Sequence, residues 1–135
     1  MALRSERFPL ERLRALLRSP RFDRSAWEGA TSPHLHLRIG SRPPRLGQAA
    51  SLDALEELLA RIIGIGVSFC DSWVLRGTII AETELSCATP AGPAAIPCTL
   101  IVRSSHGVIV DMRFYLDCTP FPPEAWSVTR RWCGE

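Results

Sequence analysis

GVIVDMRFYLDCTPF (residues 107–121) reads as two sequences interleaved. Val108, Val110, Met112, Phe114 and Leu116 form an apolar row, while Asp111, Arg113, Tyr115 and Asp117 form an ionisable one. A strand sends alternate side chains to opposite faces of its sheet, so this stretch is a half-buried strand. Which of its two rows faces whatever the protein binds decides where a site is to be sought.

Working outward, three more strand-like runs precede it: VSFCDSWVL (67–75), TIIAETELSC (78–87) and IPCTLIVRS (96–104). Arg76-Gly77, Pro90-Ala91-Gly92-Pro93 and Ser105-His106-Gly107 separate them as hairpin connections. The N-terminal half has helical periodicity instead. Leu10, Leu13, Leu16 and Leu17 recur at helical spacing until Pro20, and a short helix over 23–29 is expected with Asp23 as its cap and Trp27 turned inward. HLHLRI (34–39) alternates like a strand, and the Gly- and Pro-rich residues after it make a loop. SLDALEELLARIIG (51–64) carries Leu52, Leu55, Leu58, Leu59, Ile62 and Ile63 on one stripe, with Ser51 at its start and Gly64 at its end. Helices first and an antiparallel meander afterwards describe an α+β domain whose helices cover one sheet face. A single domain over 1–121 with a proline-stiffened tail over 122–135, docked through Trp126 or Trp132, is the expected organisation.

The composition excludes several functions. A net charge of +2 is too small to call for a polyanionic partner, and the N-terminal arginines are interrupted by Glu6, Glu11 and Asp23, so no nucleic acid is expected. All 16 basic residues are arginine and neither lysine nor asparagine occurs, which points to a GC-rich bacterial genome. The cysteines (Cys70, Cys87, Cys98, Cys118, Cys133) are odd in number and lack a C-x-x-C pair, so reduced thiols in a cytoplasmic protein are expected, with no metal. No segment approaches a membrane span, and no signal core opens the chain.

The order of elements, together with Asp71-Ser72-Trp73 and Gly77, Glu82, Ile96-Pro97-Cys98, and Gly107-x-Ile109 leading to Arg113-x-Tyr115-x-Asp117-x-x-Pro120, resembles the nuclear-transport-factor-2-like cone. Within that group, which includes ketosteroid isomerases, limonene epoxide hydrolases and polyketide cyclases, the chain looks most like SnoaL-like proteins. The resemblance covers residues 8–121. It implies a curved antiparallel sheet wrapped around about three helices, with a pocket between them, and a homodimer through the outer sheet face. The cone's familiar catalytic positions would carry Leu37 for an isomerase base and Thr99 for its acid. Phe114 would stand where hydrolases and cyclases place an aspartate. Ala81, Thr83 and Leu85 would share that inward face, with Glu82 and Glu84 pointing away. Val110, Met112, Phe114 and Leu116 would then face the cavity, leaving Arg113, Tyr115 and Asp117 outside.

The expected ligand-pocket set is Trp73, Leu37, Thr99, Met112, Phe114 and Leu116. Acid–base candidates are Asp117 at the strand's end, His36 beside the loop that edges the pocket, and Asp71 on the strand that carries Trp73. Tyr115 can hydrogen-bond a ligand oxygen if the faces are reversed. His34 shares the face of His36, His106 sits in a hairpin tip, and Cys98 is a structural thiol. The chain is thus expected to hold a small hydrophobic molecule in an apolar cavity with no cofactor. The alternative is an isomerase, cyclase or epoxide-hydrolase-type enzyme using one of those acid–base residues.

Overall fold

The computed structural model describes residues 7–117. The elements are α1 (Leu10–Leu17), α2 (Arg24–Ala30), β1 (Thr31–Ile39), β2 (Arg45–Leu46), α3 (Gln48–Leu59), β3 (Ile62–Leu75), β4 (Thr78–Thr89), β5 (Gly92–Ser105) and β6 (Val108–Leu116). Cys118, Cys133, the end of the 1–121 domain and the 122–135 tail with Trp126 and Trp132 lie outside the described residues.

Local chemistry sets the helix bounds. Pro9 caps α1 in an extended conformation, and its carbonyl accepts from the N–H groups of Arg12 and Leu13, both at 3.2 Å. Asp23 caps α2, its Oδ1 accepting from the N–H of Ala26 at 3.1 Å, and Trp27 is buried, as its spacing predicts. The third helix departs from expectation at both ends. It begins at Gln48 behind Gly47, which holds φ +94°, a conformation a side chain would strain. Ser51 is therefore inside the helix, buried, and donates its hydroxyl to the Leu35 carbonyl at 3.1 Å. At the other end Ile62 leaves the helix for β3, opposite Cys87, and the carbonyl of Arg61 accepts from the N–H of Ala88. β-branched residues favour that exchange of helix for strand.

The six strands form one sheet in the order β2-β1-β6-β5-β4-β3. Every neighbouring pair is antiparallel except β1 and β6, which run parallel, so the sheet is mixed where a purely antiparallel one is expected. The loop after β1 contains a two-residue strand, with Leu37 opposite Arg45 and His36 opposite Leu46. Pro97 sits in β5 without breaking the sheet, because pairing with β6 begins only at Cys98 and Leu116.

Register divides the sheet into two faces. The inner face carries Ile79, Ala81, Thr83 and Leu85 of β4, Ile96, Cys98, Leu100 and Val102 of β5, Met112 and Phe114 of β6, and Leu35, Leu37 and Ile39 of β1, all buried. Leu13, Leu17, Trp27, Leu52, Leu55 and Leu58 close over them from the helices. Glu82 and Glu84 point outward and are exposed.

The register shifts at four places in the sheet, and two of these shifts decide which candidate residues face inward. On β6, Arg103 opposes Asp111 while Ser104 opposes Ile109, so Val110 is the extra residue and Ile109, not Val110, is buried. On β3, Phe69 opposes Thr83 while Asp71 opposes Glu82, so Cys70 is extra. Beyond it Ser72 lies on the inner face opposite Ala81, and Asp71 and Trp73 are turned outward.

Candidate functional site

The inner face of the sheet is packed solid where the described helices cover it. Leu37, Met112 and Phe114 are 1%, 0% and 3% exposed within the core, and Leu116 is half-buried against it. Two of the expected pocket residues lie on the other face. Trp73 is 45% exposed opposite Ile80, because the bulge at Cys70 reverses its parity. Thr99 alternates with the buried Cys98 and Leu100 and stands between Glu82 and Tyr115 on the outer surface.

None of the acid–base candidates reaches the inner face. His36 is exposed on β1 opposite Asp111, beside an outer hollow of about 170 Å³ that also touches Arg38, Pro44, Leu46 and Arg113. Asp71 is exposed, with Oδ1 accepting from the N–H of Ser72 at 2.9 Å. Asp117 is exposed just past the end of β6. His36 and Asp71 stand on β1 and β3, four strand spacings apart and hence roughly 19 Å, so they cannot act on one small substrate together. His34 is exposed on β1, and His106 occupies the β5–β6 turn at φ +54°, with Nδ1 3.0 Å from the Ser105 hydroxyl.

Arg113 pairs with Asp111, two residues before it on the same strand, at 3.1 Å from Nε to Oδ1 and 3.4 Å from Nη2 to Oδ2. That carboxylate, and then the Tyr115 hydroxyl, raise the guanidinium's pKa. A fixed, charged pair on the surface is a poor proton donor and a reasonable docking contact. The buried thiol of Cys87 is also unsuited to catalysis, since desolvation pushes its pKa up to about 11 and keeps it protonated.

Among the described residues, an opening lies at one end of the helical layer. α1 stops before Pro20, Ser19 turns the chain by donating to the Arg21 carbonyl at 2.7 Å, and Phe22 stacks on Trp27 with ring centroids 6.2 Å apart. α3 ends nearby, and Ile62 starts β3. The cavity between them is about 270 Å³, walled by Leu16, Leu17, Phe22, Leu59 and Ile62 with Pro20 and Ala60, and rimmed by Ser19 and Glu56. A second hollow of about 240 Å³, touching Arg12, Asp23 and Trp27, adjoins it across Leu16 and Ser19. Glu56 is the one carboxylate on the first rim, and Arg24 lies 3.7 Å from it. Arg24 also bonds Asp53 at 2.8 Å, stapling α2 to α3 beside the opening. Sequence reasoning places Leu16, Leu17 and Leu59 on helix stripes, but their shared edge on a cavity depends on how two helices end against each other.

A second ionic group lies on the β2 side of α3. Arg42 is buried in the loop after β1, and the Glu57 carboxyl feels Arg45, Arg61 and Arg42. Burial raises the pKa of Glu57 and lowers that of Arg45, which marks a partly desolvated ionic cluster tying the loop to α3. Among the described residues no three His, Cys, Asp or Glu side chains group closely enough to hold a metal ion, and no helix is long and apolar enough to cross a membrane.

No family model and no curated protein matches the sequence. Solved structures do match its shape. A putative SnoaL-like polyketide cyclase from Jannaschia sp. CCS1 superposes with a TM-score of 0.67 at 14% identity, over 80% of this chain and 84% of that one. A protein of ketosteroid-isomerase-like fold from Catenulispora acidiphila, solved in complex with trimethylamine, gives 0.67 at 13% over 84% and 89%. An NTF2-like protein of unknown function from Cytophaga hutchinsonii gives 0.63 at 11% over 82% and 88%. With three helices on one face of a curved, mostly antiparallel six-stranded sheet, the chain has the nuclear-transport-factor-2-like fold that these proteins share.

Proposed function

We propose that this protein binds a compact hydrophobic molecule in the cavity between α1 and α3 and lacks the acid–base machinery of its catalytic fold mates. The observation that carries this is the lining itself: Leu16, Leu17, Phe22, Leu59 and Ile62 surround an opening whose rim holds one carboxylate, already beside Arg24. A general acid–base site needs a titratable group within hydrogen-bond reach of the reacting atom. His36, Asp71 and Thr99 occupy the far side of the sheet. Leu37 and Phe114, at positions where catalytic relatives would carry acids or bases, are sealed in the core.

Size narrows the guest. Drug-sized pockets run from about 300 to 1,000 Å³, and an apolar cavity of about 150 Å³ takes one benzene ring. The 270 Å³ here suits one or two fused rings or a monoterpene, and a steroid is too large. The Catenulispora acidiphila fold mate with trimethylamine is a precedent for a small guest on this scaffold. Trp73, Tyr115 and Leu75 leave apolar surface on the outer sheet face, which supports two copies pairing there as a homodimer.

Thermal-shift measurements with indole, naphthalene, monoterpene alcohols, a steroid and trimethylamine test the cavity. A matched apolar guest at a hundred times its dissociation constant stabilises the fold by about 2.7 kcal/mol. Leu59→Trp, which fills the opening, abolishes that shift while keeping a cooperative melt. A response only to the steroid or only to the amine, or an equal response in Leu59→Trp, overturns the proposal.

A further inference from the structure

Two arginines stand side by side where β1 meets β6. The strands run parallel there, with Arg38 opposite Arg113 and His36 opposite Asp111, all on the outer face. Their stems therefore rise from backbones about 4.8 Å apart. Like charges placed directly opposite each other destabilise a sheet. Asp111 answers one of the two: its oxygens accept from Arg113 at 3.1 and 3.4 Å, and among the described residues no carboxylate forms an ion pair with Arg38. Arg103, opposite Asp111 on the β5 side, adds a further positive charge, while Asp117 lies four residues past Arg113, roughly 13 Å along the chain. The arginine pair borders a hollow of about 170 Å³ that Pro44 and Leu46 wall at the β2 edge. Leu46, opposite His36, is 66% exposed. An apolar side chain left in water beside an arginine short of a counter-charge fits a molecule that offers both partners.

We infer that this hollow binds a small carboxylate bearing one compact apolar group, its oxygens between Arg38 and Arg113 and its body against Pro44 and Leu46. Charge and size choose the class. The lining sets two arginines against Asp111, so, with His36 neutral, a single negative charge balances it. A carboxylate supplies that one charge and presents two oxygens to the planar guanidinium forks, whereas a phosphate dianion overshoots. An apolar cavity of about 150 Å³ takes one benzene ring, so a hollow of 170 Å³ has room for one ring or a short branched chain. The site shares no residue with the cavity between α1 and α3. It also lies at the opposite edge of the sheet from Trp73 and Leu75 on β3.

Benzoate is the probe and benzamide its uncharged twin, each titrated into the full chain and followed by methyl-resolved NMR. Benzoate is expected to shift the Leu46 methyls saturably and to leave those of Leu59 unmoved. Benzamide, and benzoate with Arg38→Gln, are each expected to bind about tenfold more weakly, the worth of one hydrogen bond to a charged group. Asp111→Asn works in the other direction: it releases Arg113 from its carboxylate and tightens benzoate by about threefold or more, which a merely disturbed surface would not do. A cooperative melt certifies each variant used. No saturable shift at Leu46, a shift at Leu59 in its place, equal binding of benzamide, undiminished binding in Arg38→Gln or weakened binding in Asp111→Asn each overturns the site. Inorganic phosphate that displaces benzoate at equal concentration makes the hollow a general anion trap and overturns the carboxylate class.

Discussion

The two faces of the sheet solve opposite problems with the same strands. The inner face buries Met112, Phe114, Leu100 and Ala81 beneath three helices, and no charged side chain of β4, β5 or β6 enters it. The outer face carries the acids and arginines of those strands around Trp73, Ile80 and Tyr115, with no described element laid across it. The first arrangement yields stability from dispersion and exclusion of water, and an opening lies at its rim, where α1 and α3 end. The second costs little to vary and is suited to recognition. Residues that look chemically active in the sequence therefore lie on the outer face, and the opening between α1 and α3 is walled mostly by aliphatic and aromatic side chains.

The largest test of that division is a pair of deletions in β6. Removing Val110, the bulged residue, leaves Ile109 and Met112 inward and Asp111 outward, so a cooperative fold with reduced stability is expected by denaturant melting. Removing Arg113 turns Phe114 outward and everything after it, and no cooperative transition is expected. Loss of folding in the first, or its retention in the second, breaks the assigned parity.

Neighbouring point changes sharpen the contrast. Phe114→Ala is expected to cost about 3–5 kcal/mol. Tyr115→Ala, one residue on and on the outer face, is expected to cost about 1 kcal/mol or less in dilute protein. Thiol labelling gives the next effect. In a Cys118→Ser, Cys133→Ser background at pH 8, the exposed Cys70 reacts readily while Cys87, with its pKa near 11, is ionised to about one part in a thousand and stays unlabelled until the protein unfolds. The sign of the linkage follows from that raised pKa: the thiol's contribution to stability is present throughout the neutral range and is lost as pH rises toward 11. The smallest effect separates two threonines. Thr83 on the inner face donates to the Cys98 carbonyl at 2.8 Å, so Thr83→Val is expected to cost about 1 kcal/mol, whereas Thr99→Val on the outer face stays within about 0.5 kcal/mol.

Much of this molecule is legible in its sequence because side-chain period and burial report the same thing. Asp23 reads as a cap and Trp27 as core from local pattern alone, while the resemblance to the cone turns Ala81, Thr83, Leu85, Met112 and Phe114 to the inner face, where they are buried. Bulges are not legible in that way. Nothing in VSFCDSWVL marks Cys70 as the extra residue, and without that mark Trp73 and Asp71 fall on the wrong face. Val110 is hidden likewise among three consecutive apolar residues, where either Ile109 or Val110 could be the buried one. Ile62 is a helix residue by its spacing and a strand residue by its partner Cys87, which only the folded chain supplies. The candidate site is obscure for a related reason: Leu16, Phe22, Leu59 and Ile62 look like ordinary core positions, and what makes them a cavity wall is the place where two helices stop.

Methyl-resolved NMR of the protein titrated with naphthalene tests the central claim most directly. The resonances of Leu16, Leu17, Leu59 and Ile62 are expected to shift together and saturably, with those of Ile80 and Ile101 unmoved. Shifts centred on Ile80 and Ile101, with the α1–α3 methyls silent, would contradict the account by moving the binding site to the opposite face of the sheet.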